Sequence, residues 1–251
     1  MIKYKKILFI FISLILFVTI YMYYPIHLPK ENELESGSKK NTILLSKDFN
    51  VADGIEEMVL QSDVIVVGHY QKLLKSWNMS GSSEPSEFTE GHLYQFKVED
   101  TLKGNSESII KINHRYSETV PIEVTSGDEI ISDEGILIKD ASKKQVYTVT
   151  NKDPLYIKPE LNQKYIAFLQ KGNTGNYFGS LEPYLIKFNE EDIAILQSNL
   201  TDLQKENLSF NKNLGGQNIT VTNDIHQQVI DNISGDKFDS IKEKIIEISQ
   251  N

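Results

Sequence analysis

The sequence predicts a mainly β domain, a small barrel with flanking helices, held behind an amino-terminal transmembrane helix. Three observations carry this reading. Two strand-like runs, 62–73 and 92–104, are rich in β-branched and aromatic residues. A polar, turn-rich loop between them holds Trp77, the single tryptophan of the chain. Ahead of both lies an apolar stretch, 7–24, long enough to cross a bilayer.

That apolar stretch follows Lys3, Lys5 and Lys6. As a helix it covers about 27 Å, close to the hydrocarbon thickness of a membrane. Tyr21, Tyr23 and Tyr24 close its far end, where amphipathic rings favour the interface, and Pro25 stops it. A cleaved signal peptide calls for a shorter apolar region and small residues at the cut. A lipoprotein needs a cysteine, and the chain has none. An uncleaved signal anchor over 1–24 is therefore expected, with the amino-terminus cytoplasmic and the remainder extracytoplasmic.

The whole chain carries 26 basic and 35 acidic residues, a net −9. Without the three leading lysines the balance is 23 against 35, or −12. Such a surface is repelled by phosphate backbones, which excludes nucleic acid as a partner. The absence of cysteine leaves the core to hold itself together without disulfides, which is ordinary for a bacterial envelope protein.

Residues 25–50 are polar and lack a sustained period, so they read as an extracytoplasmic stalk. Asp53 is placed to cap a short helix over 54–61, with Ile55, Met58 and Val59 on one face. Val64 to Val67 form a continuous β-branched run, the mark of a strand buried on both sides, and Gly68 predicts a bend or bulge. In the second strand Tyr94, Phe96 and Val98 alternate with Gln95, Lys97 and Glu99, which predicts one dry and one wet face. Further strands are expected over 108–114, 145–150, 163–169, 177–181 and 184–188. From residue 189 the apolar period becomes helical (Ile193, Leu196, Leu200, Leu203), and helices are expected over 224–233 and 237–248 as well. The resulting division is a barrel domain over 51–188 and a helical carboxy-terminal extension over 189–251.

The succession Ser-Asp-Val-Ile-Val-Val-Gly (62–68), Tyr-Gln-Phe-Lys-Val-Glu-Asp-Thr-Leu-Lys-Gly (94–104), an Ile-Lys-Ile strand and Gln-Lys-Tyr-Ile-Ala-Phe-Leu (163–169) resembles the netrin-like (NTR) domain. That is the OB-fold barrel of the tissue inhibitors of metalloproteinases, shared by bacterial cell-surface proteins. The resemblance implies an OB-like closed or partly open barrel over about 53–188 and a binding-module habit. The inhibitors chelate a protease zinc through an amino-terminal Cys, which this chain lacks. Protease inhibition is thus not carried over.

Chemistry-bearing motifs are sparse. His69, His92 and His114 fall on or beside the expected strands and are candidate metal ligands, but no tight ligand spacing joins them. The acidic group Asp128, Glu129, Asp133, Glu134 and Asp140 lacks the spacing of a calcium loop and reads as a solvated face. No Gly-x-Ser-x-Gly elbow and no phosphate-cradling glycine loop is present. Trp77, on the loop spanning 75–91, is the candidate partner contact; the alternative is that it folds back on the barrel.

The expected function is binding at a bacterial cell envelope, with no cofactor, no catalytic residues and an envelope protein as partner. The alternatives are an extracytoplasmic metal-assisted enzyme using the three histidines, or a structural assembly component whose carboxy-terminal helices pack on a partner.

Overall fold

The computed structural model describes residues 41–126, 130–131, 137–139, 143–201 and 208–250. The anchor, residues 25–40 of the stalk and all five residues of the acidic group lie outside the described residues. Asn41–Asn251 forms one compact unit. No helix among the described residues is long and apolar enough to cross a membrane.

The elements run β1 (Asn41–Ser46), α1 (Ile55–Leu60), β2 (Val64–Asn78), β3 (Thr89–Lys103), β4 (Ile109–Ser126), β5 (Ile130–Ile131), β6 (Leu137–Lys139) and β7 (Lys143–Lys152). There follow β8 (Lys164–Lys171), β9 (Tyr177–Gly179), β10 (Leu185–Phe188), β11 (Ala194–Leu196), β12 (Ser209–Leu214), β13 (Gln217–Asp224) and α2 (Phe238–Gln250). The fold is mainly β.

Strands β2, β3 and β4 make an antiparallel meander, and β8 pairs with the other edge of β2. Short β9 then touches both β8 (antiparallel) and β4 (parallel, Ile112 opposite Tyr177), so five strands form a partly closed ring. Beyond it, β10 and β11 extend the sheet on one side and β7 on the other.

The run Val64 to Val67 explains how this ring is clothed. Val64 and Val66 enter the ring with Phe96, Ile112, Tyr165 and Leu169, while Ile65 and Val67 pack outward against α1 and α2. All four are buried on one side or the other, each contributing about 1.5–3 kcal/mol by leaving water. Gly68 falls at an irregularity in the β2–β3 register, as expected of a bulge. A Cβ there would stand 2.0 Å from the Lys97 carbonyl oxygen, so only glycine lets the strands approach this closely.

Several sequence expectations are corrected. The stalk does not reach residue 50: Asn41–Ser46 is a strand, parallel to β13, because Ile43 and Leu45 alternate with exposed Leu44 and pack on a core of Ile122, Val124 and Val221. The carboxy-terminal region is not a helical extension. Asn189 Oδ1 accepts from the Glu191 and Ile193 amides, and Asp192 takes a left-handed φ of 57°, which turns the chain into β11 in place of a helix. Residues 209–224 form the β12–β13 hairpin, closed by Gly215 and Gly216 at φ 59° and 83°. Ile225, Val229 and Ile233 are buried but lie in an irregular segment; their four-residue spacing suits a chain crossing the core as well as a helix. Among the described residues after 189, only helix α2 fulfils the helical expectation, burying Ile241 and Ile245. Asp53 does not cap α1; instead its own N–H donates to Glu57 Oε2.

The loop spanning 75–91 is shorter than expected. The paired strands continue to Asn78 opposite Glu90, and the Asn78 side chain then organises the turn through Ser80, Ser82 and Thr89. Trp77 consequently sits on β2, half-buried.

Candidate functional site

The ring interior is filled by aromatic side chains, and one end of it carries a polar network that opens into a cavity of about 300 Å³. Strand β4 supplies Asn113, His114 and Arg115 to its wall. The chain after β7 supplies Asp153, Leu155 and Tyr156, and the chain around β9 supplies Phe178, Glu182 and Tyr184. Phe49 and Met79 contribute further to the lining.

His114 is the innermost polar member. Its Nε2 lies 3.0 Å from the Tyr70 hydroxyl and its Nδ1 2.7 Å from the Tyr184 hydroxyl. A neutral imidazole satisfies such a pair, one ring N–H donating and the other nitrogen accepting. Burial, reinforced by the neighbouring His92, holds its pKa down at about 3, so the ring stays uncharged. Tyr70 packs edge-on against Tyr94, Phe96 and Tyr165, which fixes the hydroxyl that His114 meets.

His92 faces His114 across the strand pair but belongs to another set of contacts. It stacks on Tyr116 at 4.0 Å, meets the Tyr156 hydroxyl at 2.9 Å through Nδ1, and reaches Glu90 at 3.4 Å through Nε2. The Tyr156 hydroxyl also touches that of Tyr94 at 3.1 Å, and burial raises the Tyr156 pKa.

Two buried acidic residues line the cavity. Asp153 accepts from the Leu155 amide at 2.9 Å and pairs with Arg115 Nε at 3.3 Å. Arg115 also pairs with Glu118, which in turn meets Lys47. Burial still raises the Asp153 pKa. Glu182 is held differently. Its backbone is fixed to the segment after β1, receiving a bond from the Ala52 amide at 2.8 Å and giving one to Asn50 at 3.0 Å. Its side chain accepts from the Ser198 hydroxyl at 2.5 Å, and no basic side chain pairs with it among the described residues. Burial pushes its pKa up to about 7, with the Ser198 bond opposing and the Asp153 charge adding.

The sequence-derived candidates distribute unevenly over this geometry. The metal reading is not supported by position: His69 sits elsewhere on β2, bonded to Glu99 at 2.9 Å, and no group of potential metal ligands occurs among the described residues. Trp77 touches the site from behind. Its indole N–H donates to Asn113 Oδ1 at 2.7 Å, and Asn113 is a buried wall residue of the cavity. Asp153, Tyr156, Glu182 and Tyr184 went unrecognised in the sequence. The one local sign was an acid in an otherwise apolar Leu-Glu-Pro-Tyr stretch, 181–184.

The comparison set spans protein-family models, curated proteins and solved structures. None matches.

Proposed function

We propose that the protein is a membrane-anchored, extracytoplasmic binding module at a bacterial cell envelope, and that its rim cavity takes a small organic cation. The observation that carries the ligand class is Glu182. It is a buried carboxylate in a cavity walled by Phe49, Tyr156, Phe178 and Tyr184, and it lacks a basic partner among the described residues. Asp153 is already neutralised by Arg115, so the charge left to satisfy is that of Glu182. Aromatic faces beside a carboxylate suit an ammonium group. The volume suits a small molecule.

Binding is favoured over acid–base catalysis because both ring nitrogens of His114 are occupied by tyrosine hydroxyls. The ring order β2–β3–β4–β9–β8, with one parallel contact, supports reading the barrel as OB-type, in keeping with the netrin-like resemblance. The anchor reading rests on the lysines and the apolar run of residues 3–24. Titrating the full chain with simple ammonium compounds while following amide resonances tests the site. Shifts centred on residues 178–184 are expected, and shifts confined to the acidic outer surface would contradict it.

A further inference from the structure

Beside the rim cavity runs a second, larger depression of about 670 Å³, bounded by edges of two different sheets. Strand β7 pairs only with β4, and β12 pairs only with β13, so each has an outer edge without a strand partner among the described residues. Both outer edges line the same groove.

The hydrogen-bond parity shows which backbone groups face it. The Thr119 amide donates toward β3, to the Phe88 carbonyl at 2.8 Å, so its neighbours Glu118 and Val120 face β7. Their partners are Asn151 and Val149, and the bond from the Asp153 amide to the Tyr116 carbonyl keeps the same alternation. Thr150 and Lys152 therefore turn their N–H and C=O groups outward. On the other wall, the two-residue turn at Gly215 and Gly216 makes Leu214 opposite Gln217 a bonded pair. Counting back, Ser209 and Asn211 face outward. All four residues line the groove.

The floor is polar and satisfied. Asn151 and Asn223 exchange side-chain amide bonds at 2.8 and 3.2 Å, and both are buried. The walls carry exposed Lys152 and Lys212 in a chain that is acidic overall. What complements two outward backbone edges is another extended backbone, and what complements two lysines is an acidic side chain.

We infer that this groove takes an acidic, extended peptide segment of a partner protein, which adds as a strand along the outer edge of β7. The backbone pairing supplies affinity without sequence demand, and the lysines select for acidic side chains. The inference does not rest on the cation reading, although the groove shares Asp153 and Tyr156 with the rim cavity and its Ser198 donates to Glu182.

The test uses the full chain in detergent and a displayed library of random linear dodecapeptides. Enrichment of peptides rich in Asp and Glu is expected, with protection of the Thr150 and Lys152 amides from hydrogen exchange rising roughly tenfold on addition of an enriched peptide. The double charge reversal Lys152→Glu with Lys212→Glu, both at exposed positions, should weaken binding about tenfold. Absence of enrichment, or enriched peptides that leave both amides unprotected, would overturn the proposal. So would a chain that sediments as a dimer with these amides already protected, since a second copy would then occupy the groove.

Discussion

The Glu182 carboxylate accepts a 2.5 Å hydrogen bond from Ser198, yet burial still lifts its pKa to about 7. Because the folded value lies above the ordinary 4.5, the folded state holds a proton that the unfolded chain releases. Stability from this group is full below pH 4.5 and is lost as pH rises through about 7. The span corresponds to roughly 3 kcal/mol. Replacing Glu182 with Gln keeps an acceptor for Ser198 and removes the charge. The variant should therefore exceed the wild type in melting temperature at pH 8 and equal it near pH 4.5. A thermal-unfolding series across that range measures the difference, and parallel curves for the two proteins would contradict the assignment.

His114 imposes the opposite gradient. Its folded pKa of about 3 lies below the ordinary 6.5, so its contribution is complete above pH 6.5 and is lost as pH falls toward 3. The full loss is on the order of 5 kcal/mol. Between pH 4.5 and 6.5 the two gradients oppose each other, which gives the wild type a plateau of stability. His114→Gln should flatten the acid limb in denaturant titrations at pH 3.5, 5 and 6.5, even though the variant starts less stable for want of the ring. An acid limb of unchanged slope would assign it to other groups.

Gly68 stands where β2 and β3 come closest. Gly68→Ala places a methyl group 2.0 Å from a backbone oxygen and 2.7 Å from the Phe96 ring, and neither can retreat without moving a strand. A loss of about 3 kcal/mol or more is expected, at the upper end of overpacking effects. Urea unfolding of the variant measures it. A loss under about 1 kcal/mol would show that the bulge tolerates a side chain.

The anchor reading places residues from 25 onward outside the cell. The chain has no cysteine, so Ser83→Cys, at an exposed position of the loop after β2, introduces a single thiol. On intact cells a membrane-impermeant maleimide should label it fully. Labelling that appears only after lysis would reverse the topology.

The strands of the partly closed ring were legible because their signals are local. Val64 to Val67 declare a two-sided burial by composition alone, and the alternation from Tyr94 to Val98 declares a one-sided one. The bulge was legible for the same reason, since a glycine inside such a run has few other uses. The carboxy-terminal region misled because apolar residues four apart fit a helix, while the decisive features were Asn189 capping its own turn and the left-handed Asp192. The cavity was not legible at all. Glu182 and Asp153 are 29 positions apart and acquire their character only when β9 and the segment after β7 fold against β4. Trp77 stands out as the lone indole, but its contact with the cavity wall runs through Asn113, 36 residues away.

The central claim is that Glu182 recognises a cation in the rim cavity, and calorimetric titration of the full chain with a small set of primary and quaternary ammonium compounds at pH 8 tests it most directly. At least one compound should bind with an affinity that weakens as pH falls through about 7, and Glu182→Gln should lose about tenfold or more of it at pH 8. Equal binding by wild type and Glu182→Gln, or no heat from any compound, would contradict it.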